Sequence, residues 1–187
     1  MSEWKEYKIG DMCVKVTDGA HNSPPEVTEG YPMFSVKDMD ENGFDFSDVK
    51  LISRNDFDKL VKSDCKPLKN DVLIAKDGSY LKHVFVCKEE KEEVILSSIA
   101  ILRPNIKIVN AFFLKYILKT SSVKNMMEGF VSGSALPRIV LKDFKKMVLQ
   151  IPDLPTQHRI ASILSAYDDL IENNNRRIAL LEQMAEQ

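Results

Sequence analysis

Cysteine is scarce in this chain of 187 residues, and Cys13, Cys65 and Cys87 lie far apart. An odd number of cysteines without a C-x-x-C pair argues against both a disulfide framework and a zinc ribbon. We therefore expect reduced thiols that are mostly buried. A large net charge is also missing, because 26 Lys and Arg stand against 28 Asp and Glu. No global basic field marks a polyanion as partner, so any nucleic-acid contact must come from local placement of cations.

Long hydrophobic runs are absent as well. The longest apolar stretches, such as 99–102, fall far short of the roughly 20 residues that span a bilayer. The N-terminus also lacks a basic segment followed by an apolar one, which is the pattern of a secretory signal. These absences predict a cytoplasmic protein with no membrane contact. The 44% apolar and 29% charged residues are typical of an ordinary globular domain.

The common catalytic motifs do not occur. His21, His83 and His158 are far apart and form neither H-x-x-x-H nor H-E-x-x-H, so a metal site would need scattered ligands. The G-x-S-x-G, P-loop and G-x-G-x-x-G patterns of acyl-transfer and nucleotide sites are missing too. Two carboxylate-x-Lys triplets, at 64–66 and 143–145, leave a metal-dependent nuclease open as an alternative, because such pairs can hold a cation and orient water. We predict no catalytic residue and no metal ligand.

The chain changes its pattern near Pro155. Before it, turn residues interrupt short apolar runs; after it, no Pro or Gly occurs and the pattern is helical. The sequence thus predicts a mixed α+β body over 1–155 and a long helix over 156–187. A helix over 110–118 should be capped by Asn110, and one over 55–61 by Asn55. Short β-branched or aromatic runs predict strands at 33–36, 71–75, 83–87, 94–96 and 99–102, with the acidic run 89–93 at a hairpin tip.

The terminal helix, with Thr156 as its predicted cap, carries a coiled-coil stripe. At about 1.5 Å per residue it would extend roughly 45 Å, too far to be covered by a body of about 150 residues. Part of the stripe should therefore pair with another helix, although packing back on the body is an alternative. Asn174 would fix the register of the partner, or else lie at an exposed turn. The stripe consists of Ile160, Leu164, Tyr167, Ile171, Asn174, Ile178, Leu181 and Ala185.

Cations are concentrated in two segments of the body. Residues 50–82 hold eight basic groups against five acids, and residues 138–146 hold four against one. Spaced cations replace counterions at phosphates, while polar side chains in loops read base edges. The loop 76–83 is the densest such segment, and its structural alternative is a polar hairpin between two strands. In segment 17–25, Asp18-Gly19 favours a tight turn, and His21 is a candidate DNA contact or a donor that stabilises the turn.

Several colinear motifs together resemble the specificity (S) subunits of type I restriction-modification enzymes, over almost the whole chain. Two positions depart from the family pattern: Asn70 stands where a Gly is common, and the loop 76–82 lacks a second Gly. The motifs are Ile9-Gly10-Asp11, the segment 17–21 with its following prolines, Gly30-Tyr31-Pro32-Met33-Phe34, 68–74, Gly133-Ser134 with Pro137-Arg138-Ile139, the helix entry 151–164, and the Asn-Asn-Asn-Arg-Arg-Ile run at 173–178.

This resemblance implies a target recognition domain followed by a spacer helix, so that the chain would read one half of a bipartite sequence in double-stranded DNA. Family members usually carry two such units with antiparallel helices. A single unit implies either a half-subunit that dimerises with itself or a fragment that needs a second specificity half. The S subunit is non-catalytic in this family. S-adenosylmethionine, ATP and Mg belong to its partners, the methyltransferase (modification) subunits and the restriction subunit.

The resemblance and the polar loops together give a set of expected site residues. The stripe from Ile160 to Leu181 is expected to pair with the second unit and with methyltransferase subunits. A plain protein-interaction module acting through its coiled coil is the remaining alternative. The expected DNA contacts are His21, Asn22, Lys37, Lys76, Ser79, Tyr80, Lys82, His83, Ser134 and Arg138.

Overall fold

A four-stranded sheet lies at the centre of the computed structural model, which describes residues 3–77, 82–130 and 138–186. Its strands follow the order β2 (Cys13–Asp18), β8 (Ile99–Pro104), β5 (Val72–Ala75) and β6 (Val84–Val86), each antiparallel to its neighbours. Side chains on both faces of the sheet are buried in hydrophobic clusters. Apolar residues therefore run without alternation in β5, β6 and most of β8, as expected for strands covered on both sides, whereas the edge strand β2 mixes polar and apolar residues.

A second sheet of three strands packs on one face of the first. Its order is β4 (Lys50–Ile52), β3 (Tyr31–Phe34) and β7 (Val94–Ile95). Phe34 and Ile95 pack with side chains of the central sheet, whereas Met33, Ile52 and Val94 pack with α2 (Arg54–Lys62). The acidic run 89–93 therefore connects two different sheets. Its predicted place at a hairpin tip is wrong.

Helices cover the other face of the central sheet. They are α1 (Ile9–Met12), α3 (Ala111–Leu118), α4 (Ser121–Glu128) and α5 (Leu141–Lys146), and their apolar residues share one cluster with the sheet. A two-stranded sheet, β1 (Lys5–Lys8) with β9 (Val148–Ile151), joins the two ends of the body. The long helix α6 (Leu154–Ala185) follows β9 directly and packs on α3. The mixed fold and the long terminal helix are confirmed.

The helix caps show how accurately the sequence placed these boundaries. Asn110 caps α3 as predicted, because its side-chain oxygen accepts from the Phe113 amide at 3.0 Å. Ser53, not Asn55, caps α2, with its hydroxyl 3.2 Å from the Asp56 amide. Asp153, not Thr156, caps α6, and the Thr156 amide donates to it at 3.0 Å. Pro155 then occupies the first turn, where no backbone donor is needed.

A buried ion pair fixes the entry to β5. Asp71 is fully buried, and its two carboxylate oxygens each accept a 2.8 Å hydrogen bond from the guanidinium of Arg103. The preceding residue, Asn70, has a φ of 70°. This left-handed conformation favours glycine, and asparagine is among the few other residues that tolerate it. The Asn at a position where the family often has Gly is thereby explained.

The three cysteines are free and buried, as the sequence predicts. Burial, with a smaller contribution from the charge of Asp71, raises the pKa of the Cys13 thiol to about 12. Burial likewise raises the pKa of Cys65. These thiols therefore stay protonated and unreactive at neutral pH.

The side chain of Glu93 is buried at the start of β7, and within the described ranges its Oε2 atom has no hydrogen-bond partner. Burial raises the pKa of Glu93, with Lys91 opposing the shift. The folded state thus binds this proton more tightly than the unfolded state, so stability is lost as pH rises from the ordinary glutamate range through the raised pKa. We expect Glu93→Gln to increase the free energy of unfolding at neutral pH by about 1 kcal/mol.

Urea unfolding at pH 7 and pH 4 measures this effect. The gain should shrink at pH 4, because most Glu93 side chains are then protonated in both the folded and the unfolded state. Glu89→Gln is the control, because Glu89 lies exposed in the same run and pairs with Lys91. An equal gain at both pH values would contradict the proposed origin in burial of the charge.

Candidate nucleic-acid interface

Four polar residues lie where the strands of the central sheet begin or end. Asp18 is the last residue of β2, Lys76 follows β5, and His83 and Ser98 precede β6 and β8. Adjacent strands are antiparallel, so the ends of β2 and β5 lie at the same edge as the starts of β6 and β8. The registers place Asp18 opposite Ala100 and Ala75 opposite Ile99. We call this edge the strand-end cluster, and it contains Asp18, His21, Lys76, Asp77, His83, Ser98 and Arg138.

Lys76 lies inside the strand-end cluster with its side chain buried. Its ammonium nitrogen is 3.4 Å from Asp18 Oδ2 and 3.3 Å from Asp77 Oδ1. Its backbone amide donates to the Ser98 carbonyl at 3.0 Å, and its carbonyl accepts from the Ile139 amide at 3.0 Å. The positive charge is therefore balanced by two carboxylates. In this conformation Lys76 joins the surrounding segments and does not present its ammonium group at the surface.

The carboxylates of Asp18 and Asp77 also contact two side chains that are more exposed than Lys76. His21 Nε2 is 3.5 Å from Asp18 Oδ1, and its side chain is 77% exposed. The Arg138 guanidinium is 3.7 Å from Asp77 Oδ2, and its side chain is 57% exposed. His21 and Arg138 thus stand on the outer side of the buried lysine. Both can donate hydrogen bonds to an incoming ligand while the carboxylates orient them.

The end of β2 lies unusually close to β7. Ala20 forms a parallel bridge with Leu96, and its amide donates to the Ile95 carbonyl at 2.8 Å. A Cβ atom on Gly19 would lie 2.0 Å from that carbonyl oxygen. The glycine is needed here for close approach of two backbones. The tight turn predicted at Asp18-Gly19 is wrong, because the chain stays extended through Ala20 and bends after it.

An open cavity of about 390 Å³ lies beside this segment, and Asp18, His21 and Asn22 line it together with the end of α2. The sequence predicted two of these three as DNA contacts. It missed Asp18, Asp77 and Ser98. The two aspartates are each followed by a glycine, which was the only local indication, and Ser98 had none. Their importance follows from strand order, which single-sequence patterns do not reveal.

Lys37 and Lys82 are exposed, and Lys37 Nζ lies 3.7 Å from Asp38 Oδ1. The short 3-10 helix at Val36–Asp38 is tied to the strand-end cluster because the Val36 amide donates to the Ser98 hydroxyl at 3.1 Å.

His83, another predicted DNA contact, is mostly buried, with Nδ1 4.0 Å from Glu41 Oε1. A hydrogen bond from Lys119 lowers the pKa of Glu41.

Three other predicted DNA contacts, Ser79, Tyr80 and Ser134, lie outside the described residues. The strands on either side of the loop 76–83 do pair as an antiparallel hairpin, with Ile74 opposite Val84. The two strands that flank the loop therefore pair as the sequence predicted. Whether its side chains contact DNA stays a prediction.

The basic residues of segment 50–82 do not form one patch. Arg54 pairs with Asp58 at 2.9 Å, and Lys59 pairs with Asp56 at 3.3 Å, both within α2. Lys50 instead contacts Ser23 and the Pro24 carbonyl. The local excess of cations in the sequence is thus partly consumed by neighbours on the same helix, a common arrangement for solvated helix faces.

The carboxylate-x-Lys triplets lie in separate places. Asp64 follows α2 and pairs with Lys15, whereas Asp143 lies on α5 beside Lys146. Within 3–77, 82–130 and 138–186, no group of three His, Cys, Asp or Glu side chains could hold a metal ion. Among the helices in these same ranges, none is both long enough and apolar enough to cross a membrane.

Helix α6 presents two different faces. One face touches the body through Gln157, Ala161, Ser165, Asp168 and Glu172. At roughly 100° per residue, the predicted stripe lies about a third of a turn away from this face. Its large side chains are exposed: Leu164 by 38%, Tyr167 by 63%, Ile171 by 56%, Ile178 by 52% and Leu181 by 64%. Only Ile160 is partly covered by the core, so the alternative of packing back on the body is wrong for most of the stripe.

Known proteins share the sequence pattern of this chain. The model of the type I restriction modification DNA specificity domain matches residues 1–183. The chain belongs to this family. It is 29% identical to the HindI specificity subunit of Haemophilus influenzae, over all of this chain and 40% of that protein. It is 26% identical to the MjaVIII specificity subunit of Methanocaldococcus jannaschii, over 97% of this chain and 40% of that protein.

Solved structures of specificity subunits share the fold of this type I specificity domain. The S subunit from M. genitalium superposes with a TM-score of 0.62 at 21% identity, over 92% of this chain and 41% of that one. The HsdS subunit from Thermoanaerobacter tengcongensis gives a TM-score of 0.62 at 19% identity, over 93% and 39%. The chain therefore spans about 40% of the length of the relatives that it matches.

Proposed function

We propose that this chain reads one half of a bipartite sequence in double-stranded DNA and thereby positions the modification and restriction subunits of a type I system. The observation that supports this most strongly is the match of one DNA specificity domain to residues 1–183. The strand-end cluster supplies a recognition surface, because it gathers exposed donors on a rigid sheet edge.

The residues of this surface have different proposed roles in DNA recognition. Arg138 is the best candidate for bidentate contact with a guanine edge, and His21 and Asn22 are placed for further base or phosphate contacts beside the cavity. Lys37 and Lys82 anchor phosphates through their exposed charges. Ser79, Tyr80, His83 and Ser134 remain proposed contacts. In our proposal Lys76 acts chiefly by holding Asp18 and Asp77, which orient His21 and Arg138.

The stripe of α6 serves assembly. Residues 1–155 act as the recognition body and residues 156–187 as the spacer helix, whose observed start is Leu154. The exposed stripe pairs with the helix of a second specificity half or of a second copy, and its remaining surface meets methyltransferase subunits. The chain itself performs no catalytic step. S-adenosylmethionine, ATP and Mg act in the partner subunits, and the complex works in the cytoplasm.

Genome-wide adenine methylation tests this function in cells that express the chain with its cognate methyltransferase. We expect a bipartite methylated motif that is absent when the chain is omitted. A palindromic motif would indicate a homodimer of half-subunits. Absence of any motif, even with a second specificity half supplied, would overturn the proposal.

Substitution of Arg138 tests the recognition surface. We expect Arg138→Gln to weaken binding to the methylated motif about tenfold or more, because a bidentate base contact is worth about 1–3 kcal/mol of discrimination. Binding of purified methyltransferase complexes to motif and scrambled duplexes, at one fixed salt concentration, measures the change. Lys142→Gln is the matched control, because it removes one exposed positive charge nearby on α5. Equal losses in the two variants would argue against a specific role for Arg138.

A further inference from the structure

Helix α6 is fastened to the body at two separate levels. At the first level, Gln157 is buried and its side-chain amide makes three hydrogen bonds. The amide nitrogen donates to the carbonyls of Ile108 at 3.0 Å and Pro152 at 2.8 Å. The amide oxygen accepts from the backbone N–H of Asn110 at 2.9 Å. Two fastening points along a helix fix the direction of its axis, whereas one point leaves a pivot.

The second level is a polar cluster around Asp168. Its Oδ2 atom accepts hydrogen bonds from Lys115 Nζ and from the Tyr116 hydroxyl, each at 2.7 Å. The same hydroxyl lies 3.2 Å from Ser165 Oγ. The Lys115 side chain is only 7% exposed, so its charge depends on this carboxylate for compensation. We call Lys115, Tyr116, Ser165 and Asp168 the helix clamp.

The acidity of Asp168 agrees with this arrangement. Partial burial opposes its ionisation, but hydrogen bonds from Lys115 and Tyr116 outweigh burial and lower the pKa of Asp168. Burial is the main cause that raises the pKa of Tyr116 to about 12, so its hydroxyl remains a donor at neutral pH. The clamp is therefore a charged carboxylate held by two donors.

Because of the distances along the helix, a small displacement at the clamp produces a larger displacement at the far end of α6. Asp168 is about 16 Å from Gln157 along the axis, and the helix continues for about 26 Å beyond Asp168. A displacement of about 1.3 Å at the clamp, with Gln157 as pivot, would move the far end by about 3.4 Å, the rise of one base pair. Small rotations at the clamp thus matter at the scale on which half-site spacing is read.

We propose that the helix clamp sets the angle between body and helix, and that Asp168 is thereby a positioning residue for the spacing between the two DNA half-sites. The recognition surface would choose the bases within a half-site, and the clamp would restrict how far apart two half-sites stand. This inference rests on the proposed function.

The first test measures the angle directly, without DNA or partner subunits. Spin labels on Lys62→Cys and Ala179→Cys, both exposed positions, report the distance from α2 to the far half of α6. The native cysteines are buried and label poorly. Excess unlabelled chain removes distances between copies. We expect Asp168→Asn to broaden the distance distribution, because Lys115 loses its compensating charge.

Asp169→Asn is the matched control. It makes the same chemical change at the next position, where the carboxylate also faces the body, 3.5 Å from Lys88 Nζ, but both side chains are exposed and such pairs contribute little. This variant should leave the distribution as in the wild type. Tyr116→Phe, which removes one donor and keeps the ring, provides a milder variant if Asp168→Asn fails to fold. Unchanged distributions in both clamp variants would overturn the proposal.

The second test reads the spacing of methylated motifs. In cells with the cognate methyltransferase, we expect Asp168→Asn to keep the half-site sequences and to raise methylation at spacings one base pair longer or shorter about tenfold relative to the correct spacing. A merely structural role would lower methylation at all spacings alike, and that result would refute the proposal. If the wild type yields no bipartite motif, the proposed function fails and its spacing role fails with it, while the label distances still decide whether Asp168 orients the helix.

Discussion

Aspartate in place of Leu164 is expected to weaken pairing of α6 at least about a hundredfold and to eliminate the methylated motif. Leu164 is 38% exposed on the stripe, so a partner helix would bury the rest of its side chain at a gain of about 1 kcal/mol in each copy. The aspartate loses this gain and places a charge in an apolar seam. In a symmetric pair the change occurs twice. Sedimentation of the purified chain, with or without a second specificity half, measures association, and adenine methylation reports the consequence.

Ser162→Asp controls for the added charge. Ser162 is exposed on α6, away from the stripe and from the residues that touch the body. The Ser162→Asp variant should therefore keep both association and methylation close to the wild-type level. Ser162→Asp should unfold within about 0.5 kcal/mol of the wild type because Ser162 is exposed, and Leu164→Asp should cost about 1 kcal/mol because part of the Leu164 side chain is covered in the isolated chain. Normal methylation in the Leu164→Asp variant would show that the stripe is not required for assembly.

Loss of the Arg103 guanidinium is expected to lower the free energy of unfolding by about 3–5 kcal/mol. In Arg103→Met, the fully buried Asp71 carboxylate loses two hydrogen bonds and its balancing charge. The amide of Leu68 at 2.8 Å remains, but one donor does not compensate a buried charge. Unfolding in urea, followed by circular dichroism, measures the change.

Arg176→Met is the comparison for this variant. Arg176 forms an exposed pair with Glu172 one turn earlier on α6, and such pairs contribute about 0.3–0.5 kcal/mol. The double variant Asp71→Asn with Arg103→Met should recover part of the loss, because it removes the uncompensated charge. A loss below about 1 kcal/mol in Arg103→Met would mean that Asp71 is relieved by protonation or by solvent.

Local patterns in the sequence were sufficient for several features. The apolar runs that became β5, β6, β7 and β8 were predicted because their side chains are buried on both faces. The cap at Asn110 and the long terminal helix followed from side-chain chemistry within a few residues. The strands β1 and β9 were missed, because β1 is mostly exposed and β9 alternates exposed and buried residues over a run of only four.

Helix α6 shows what a local sequence pattern does not predict. The stripe's period of four and three residues is fixed by the sequence, but the same helix also carries the face that touches the body, one position along from each stripe residue. Polar residues such as Gln157 and Asp168 form much of that face. Only their partners, which lie in the segment 108–116 and at Pro152, reveal it, because a hydrophobic pattern does not record contacts made by hydrogen bonds.

By itself, the sequence determined the mixed fold class, the helical end and a stripe for pairing, because these depend on residues within about four positions of one another. The tertiary structure decided which loops meet. Asp18, Lys76, Asp77 and Arg138 come together because β2 and β5 end at one edge of a sheet in which β8 lies between them. Strand order is set by the packing of the whole body, and this is why the enclosed charge of Lys76 was not foreseen.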